Sequence, residues 1–226
     1  QGAFDGGAAG VLVNDSHGRM ANVLPEDLDP RAELISGSPK PLGMMQGIDE
    51  DVDRVFFVGY HAASGTQAAV LEHTSNDRIL GVVLNGQPVG ELGMNAALAG
   101  AFGKPVVLVT GDGAAVREAA QLLGDTETVA VKEGITRTSA RCLSPSVAAE
   151  RIRQAARRAV AARGRVFAVT APVTLRVVLH RASHADMATL IPATRRVDGR
   201  TVEWTGEDMK AVYQVYRAIA TLAASV

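Results

Sequence analysis

The sequence has a single cysteine, Cys142, few aromatic residues and no excess of charge of either sign, and each shortage removes a class of protein. One cysteine cannot close an internal disulfide, so a disulfide-stapled scaffold is excluded and a reducing, cytoplasmic setting is expected. With 23 basic against 24 acidic residues the formal net charge is -1. That leaves no electrostatic footprint for a polyanion, and no nucleic acid partner is expected. No stretch reaches the ~18 uncharged apolar residues of a membrane-spanning helix. Even the alanine-rich tail is interrupted by Lys210 and Arg217, so no membrane partner is expected. No charged segment followed by an apolar run opens the chain as a leader would. There is no internal repeat, no GxSxG elbow of a serine hydrolase and no GxGxxG or Walker pattern.

What is present is aliphatic. The 226 residues are 47% hydrophobic but only 4% aromatic, enough for one ordinary domain or two small ones sharing a core. Alanine-rich helices on aliphatic strands suit an α/β layer fold. Short apolar runs recur at 11–14, 55–60, 79–84, 105–110, 128–132, 166–170 and 173–179. Being continuous rather than alternating, they predict strands covered on both faces, as in a parallel sheet. Between them, 92–102 and 114–123 read as helices closed by Gly103 and Gly124. A third helix opens at Ser144-Pro145, carries an arginine stripe at 151, 153, 157 and 158, and runs to Gly164. A last one, about 206–224, opens at Thr205-Gly206-Glu207-Asp208. Its Val212, Tyr213, Val215, Tyr216, Ile219 and Leu222 predict burial against either a partner subunit as well as the chain's own core, or a large internal core alone. The expected architecture is a parallel-sheet-based three-layer α/β domain with a second, smaller α/β portion. The chain opens on what reads as the last turn of a helix, so an upstream strand is expected that this sequence does not contain.

Three of the five histidines sit where chemistry is usually placed. His17 ends VLVNDSH and His61 ends VFFVGYH, each just past the carboxyl end of an apolar run, which is the edge where open α/β sheets bind ligands. Two imidazoles converging there with a carboxylate would make a hydrolytic zinc site; otherwise each is a hydrogen-bonding loop histidine. Glu91, opening a helix after the Asn85-Gly86 turn, is the natural carboxylate, although a glutamate is favoured in a first helical turn by the macrodipole alone. Asp15 either orients His17 or caps its turn. His73, in VLEHTSND, could ligate, transfer protons or lie at the surface. Gly111-Asp112-Gly113 reads as a strand-to-helix turn, and Lys132, Arg137 and Arg141 as a solvated loop.

The segments VLVNDSHGRM, VFFVGYHAASGTQAAVLEHT, LNGQPVGELGMNAALAGAFGKPVVLVTGDG and VAVKEGITRTSARCLSP, in this order, resemble the zinc-dependent D-aminopeptidases of the DppA type. The similarity runs from about residue 8 to 150 and more loosely to the end. It implies a dinuclear zinc site, two ions per subunit, with His17, His61 and Glu91 among the ligands and His73 as the catalytic histidine. The family's Asp-x-Glu pair on its first strand has no match here. The resemblance further implies removal of N-terminal D-amino acids such as D-Ala from short peptides, and a homodecamer of two stacked pentameric rings. The chain then divides into a metal-binding catalytic portion at 1–125, incomplete at its amino end, and a C-terminal portion at 126–226 with a role in oligomerisation. A catalytically silent ring-forming member, or a metal amidase with another amino-acid-derived substrate, are the rival readings.

Overall fold

The computed structural model describes residues 1–226. In chain order the strands are β1 (Val11–Asn14), β2 (Ala32–Ile35), β3 (Val55–Tyr60), β4 (Ile79–Leu84), β5 (Gln87–Val89), β6 (Val106–Asp112), β7 (Glu127–Thr136), β8 (Ser139–Cys142), β9 (Val173–Leu179), β10 (Arg195–Arg196) and β11 (Thr201–Gly206). The helices are α1 (Gly2–Asp5), α2 (Glu91–Ala101), α3 (Gly113–Leu123), α4 (Pro145–Ala161), α5 (Ala182–Ala188) and α6 (Met209–Ala224).

The strands form three sheets: parallel β1-β2, a mixed sheet β3-β6-β7-β8, and an antiparallel sheet β10-β11-β9-β4-β5. The parallel-sheet expectation therefore holds for the runs at 11–14, 55–60, 105–110 and 128–132. It fails for 79–84 and 173–179, which pair antiparallel with each other. Apolar content misled here because β9 buries every second residue from Val173 to Leu179 while Thr174, Arg176 and Val178 lie toward its other face. The run 166–170 is irregular chain rather than a strand. Both larger sheets draw strands from either side of residue 125, so that boundary does not separate two sheets.

Local chemistry accounts for the element ends. Asn85 and Gly86 both take positive φ, 46° and 84°, the backbone a tight β4-β5 hairpin requires. Asp112 caps α3 by accepting from Ala115 N at 2.8 Å. The last helix begins later than expected: Thr205 and Gly206 complete β11 opposite Thr174 and Val173, and Asp208 is the cap, accepting from Ala211 N.

The main core joins α2 and α6 to β4, β9 and β11. Leu92, Met94, Ala96, Ala97, Leu98 and Ala99 of α2 are all buried, as expected of a helix covered on every side. Val212, Tyr213, Tyr216 and Ile219 of α6 are buried in the same cluster. The apolar face of the last helix thus goes into the chain's own core. A second, smaller cluster packs Ala155, Ala156 and Ala159 of α4 onto Val107, Leu108 and Val129.

Candidate metal centre

Parallel pairing of β3 with β6 brings Tyr60 opposite Gly111, so His61 leaves the sheet at the same edge as Asp112. The chain after His61 folds back as a loop to residue 78. Asp112 Oδ2 accepts from Val70 N at 2.5 Å, and Arg137 O accepts from Leu71 N at 2.8 Å, which fixes the loop's far limb. Ala62, Ala69 and Ala114 pack beneath it. This returns His73 over His61 with ring centroids 3.9 Å apart and planes inclined by 22°. Glu91, at the start of α2, completes the cluster: its Oε1 lies 3.5 Å from His61 Nε2 and 3.4 Å from His73 Nε2. Glu91 is buried, and the same oxygen accepts from Ser75 N at 2.5 Å.

The ring protons can be placed. His61 Nδ1 is 3.1 Å from Ala62 O and His73 Nδ1 is 2.7 Å from Leu71 O. A carbonyl only accepts, so in both rings Nδ1 carries a hydrogen, and in the neutral form of each ring Nε2 is the nitrogen left with a lone pair. Two such lone pairs and a carboxylate oxygen, all within 4.8 Å of one another, repel unless a proton or a metal cation lies among them. Imidazole and carboxylate donors are the set that suits zinc, and a carbonyl behind each imidazole is the usual device for holding a metal-binding tautomer. The residues fit a metal ion.

The profile of the D-aminopeptidase family matches residues 1–218. The D-aminopeptidase of Bacillus subtilis (strain 168) is 37% identical over 224 residues, spanning 98% of this chain and 81% of that protein. The chain belongs to the D-aminopeptidase family. A solved structure described as the Zn-dependent D-aminopeptidase DppA from Bacillus subtilis, a self-compartmentalizing protease, superposes with a TM-score of 0.96 at 35% identity, covering 100% of this chain and 83% of that one. Family, fold and donor set agree on a metal-dependent D-aminopeptidase.

Of the residues singled out in the sequence, His61, His73 and Glu91 come together in this member of the family. His17 does not join them: it is exposed, past the end of β1 in the separate two-stranded sheet. Asp15 is buried, and its carboxylate accepts from Asn22 N, Asn22 Nδ2 and Val23 N, so it closes the turn and does not hold the His17 ring. Burial alone would raise its pKa, but these hydrogen bonds outweigh it and hold the carboxyl below the usual range. Lys40, also buried, donates to Asn14 Oδ1 and Asp15 O, and burial lowers its pKa.

Sequence reasoning missed the supports behind the trio. Ser75 Oγ pairs with the buried Tyr216 hydroxyl, and Asn95 bridges Tyr60 (2.9 Å) and Tyr213 (2.8 Å). Burial raises the pKa of all three tyrosines, so their hydroxyls stay neutral. Nothing local marks these residues; only α6 folding against α2 and the loop brings them there. A cleft of about 360 Å³ includes Ser64, Thr74, Gly90 and Glu118 in its wall, but none of the trio.

Proposed function

We propose that this enzyme removes N-terminal D-amino acids, such as D-alanine, from short peptides and amides, with His61 and Glu91 as metal ligands and His73 as the proton-transferring group. The observation that carries the reading is the convergence of the Nε2 atoms of His61 and His73 on one buried carboxylate oxygen. A zinc ion bound there supplies Lewis acidity, worth several kcal/mol of stabilisation to charge developing on the scissile carbonyl.

The chain's own residues do the rest. Ser75 N holds Glu91 Oε1 and leaves Oε2 without that constraint. His73 donates its Nδ1 hydrogen to Leu71 O, so Nε2 is the atom that takes and returns a proton, a role worth about 10²–10⁴-fold in rate. Its position on the returning limb of the loop, rather than directly after a strand like His61, supports giving it the mobile task. His17 as a further ligand, and a second ion per subunit, rest on the family resemblance and belong to the same proposal.

We further propose a ring-based oligomer, the homodecamer of the resemblance, in the cytoplasm. Its support is the description of the Bacillus subtilis structure as self-compartmentalizing, together with exposed apolar residues away from the core: Val58, Ile135 and Leu190 are 59%, 66% and 67% exposed. The deciding experiment is hydrolysis of D-alanyl against L-alanyl p-nitroanilide by full-length protein, with and without a chelator. Chelator-sensitive, D-selective cleavage is expected. A metal-bound protein with no hydrolysis of either would instead make it a silent scaffold.

A further inference from the structure

Glu118, on α3, belongs to none of the segments that carry the trio, yet its carboxyl reaches between two of them. Its Oε2 accepts from Ala63 N at 2.8 Å. Its Oε1 is buried with no hydrogen-bond partner. It packs against Gly90, the cap residue before Glu91: a Cβ at Gly90 would lie 2.9 Å from Oε1 and 2.7 Å from the Ala63 Cβ. Burial first, then the charges of Glu91 and Asp112, push the Glu118 carboxyl upward, and the Ala63 amide is what opposes them. An apolar side chain of that size would fill the space without an orphaned oxygen. Positions that break such a rule concentrate where function demands it.

The amide Glu118 holds is not an arbitrary one. Ala63 N–H and Ala62 C=O are the two ends of a single peptide group, and Ala62 O is the acceptor for His61 Nδ1. In a trans peptide these ends point in opposite directions. The result is one line: carboxyl, peptide, imidazole Nδ1, and at the far side the Nε2 that faces Glu91. Hydrogen bonds in such a chain polarise one another. A carboxyl behind a ligating histidine is the usual way to fix its tautomer and raise its basicity, and here a peptide group stands between the two.

We propose that Glu118 is a positioning residue that acts on His61 through the Ala62–Ala63 peptide, fixing its ring and strengthening Nε2 as a metal ligand. The proposal rests on His61 being a ligand.

The test is zinc affinity of the full-length protein, measured by competition with a chromophoric chelator, beside thermal stability. Glu118→Ala should weaken zinc binding about 10–100-fold, the range for partners behind a metal ligand. Glu118→Gln keeps an oxygen for Ala63 N and should stay within a few-fold of wild type. If Glu118→Ala does not fold, Glu118→Asp withdraws the acceptor by one methylene and should show the same weakening. Zinc affinity unchanged in a folded Glu118→Ala or Glu118→Asp protein, or Glu118→Gln as weak as Glu118→Ala, would overturn the proposal. A wild type that binds no zinc, or a His61→Ala that binds it as well as wild type, would instead remove the ligand assignment beneath it.

Discussion

His61 and His73 lie ring on ring, 3.9 Å between centroids, and both turn Nε2 toward the same oxygen of Glu91. The stacking sets one imidazole against the face of the other, and the two share the one carboxylate. Removing Glu91 as a negative centre is therefore the sharpest perturbation of the site. Glu91→Gln keeps the shape and the Ser75 contact but offers a neutral oxygen to the cation. It should weaken zinc binding by more than about 100-fold, beyond the range for partners behind a ligand, and activity should fall with it. Retention of stoichiometric zinc in Glu91→Gln would place the metal elsewhere.

The two histidines should separate by role although they share a geometry. His73→Ala is expected to lower kcat by about 10²–10⁴-fold with zinc content unchanged, whereas His61→Ala should lose the metal. Zinc lost from His73→Ala would make that residue a ligand, and kcat unchanged would make it a bystander.

Much of this centre was legible from local pattern, because strand ends and helix starts are local events. His61 after VFFVGY and Glu91 after a hairpin turn are placed by β3 and α2, and both elements form where the residues predict. His17 follows the same rule at the end of β1, but that strand pairs only with β2, so its strand-end position does not by itself set it beside the trio, and its place among the ligands stays with the proposal. The antiparallel β4-β9 pairing was hidden for a related reason: apolar content reports burial, while pairing direction depends on chain segments about ninety residues apart. The tyrosines behind the trio, and Glu118, were illegible because each acts through a contact made only after α3 and α6 dock.

Asn95 is the polar centre of the α2-α6 interface, donating to the Tyr60 hydroxyl and accepting from that of Tyr213, with all three groups buried or nearly so. Asn95→Leu would orphan the Tyr60 hydroxyl, at about 1–3 kcal/mol, and leave that of Tyr213 only the Leu42 carbonyl at 3.5 Å. The same change in a Tyr60→Phe, Tyr213→Phe background should cost much less, since apolar groups replace both partners. Denaturant unfolding of the four proteins measures the coupling, and additive costs would show that the bridge contributes nothing of its own.

The last expectation concerns pH and lies far from the trio. His184 on α5 is buried, and burial first, then the charges of Arg78, Arg181 and His180, hold its pKa below the ordinary imidazole range. Its Nδ1 accepts from Arg181 N at 3.2 Å, a bond that exists only while that nitrogen is unprotonated. Of the groups in the same cleft that favour the charged ring, Asp77 lies 3.6 Å from Arg137, and the hydrogen bond to the Val226 backbone opposes burial and the cations without outweighing them. The sign follows from proton uptake: near pH 6.5 and below, the unfolded chain binds a proton at this histidine that the folded chain refuses. Stability is therefore undiminished by this group above that pH and declines as pH falls toward the depressed folded value. Substituting His184→Gln keeps an acceptor for Arg181 N but removes the titration. Wild type should lose more thermal stability than His184→Gln between pH 7 and pH 5, with the histidines of the metal centre common to both. Parallel curves for the two proteins would mean that His184 takes up its proton without cost in the folded state.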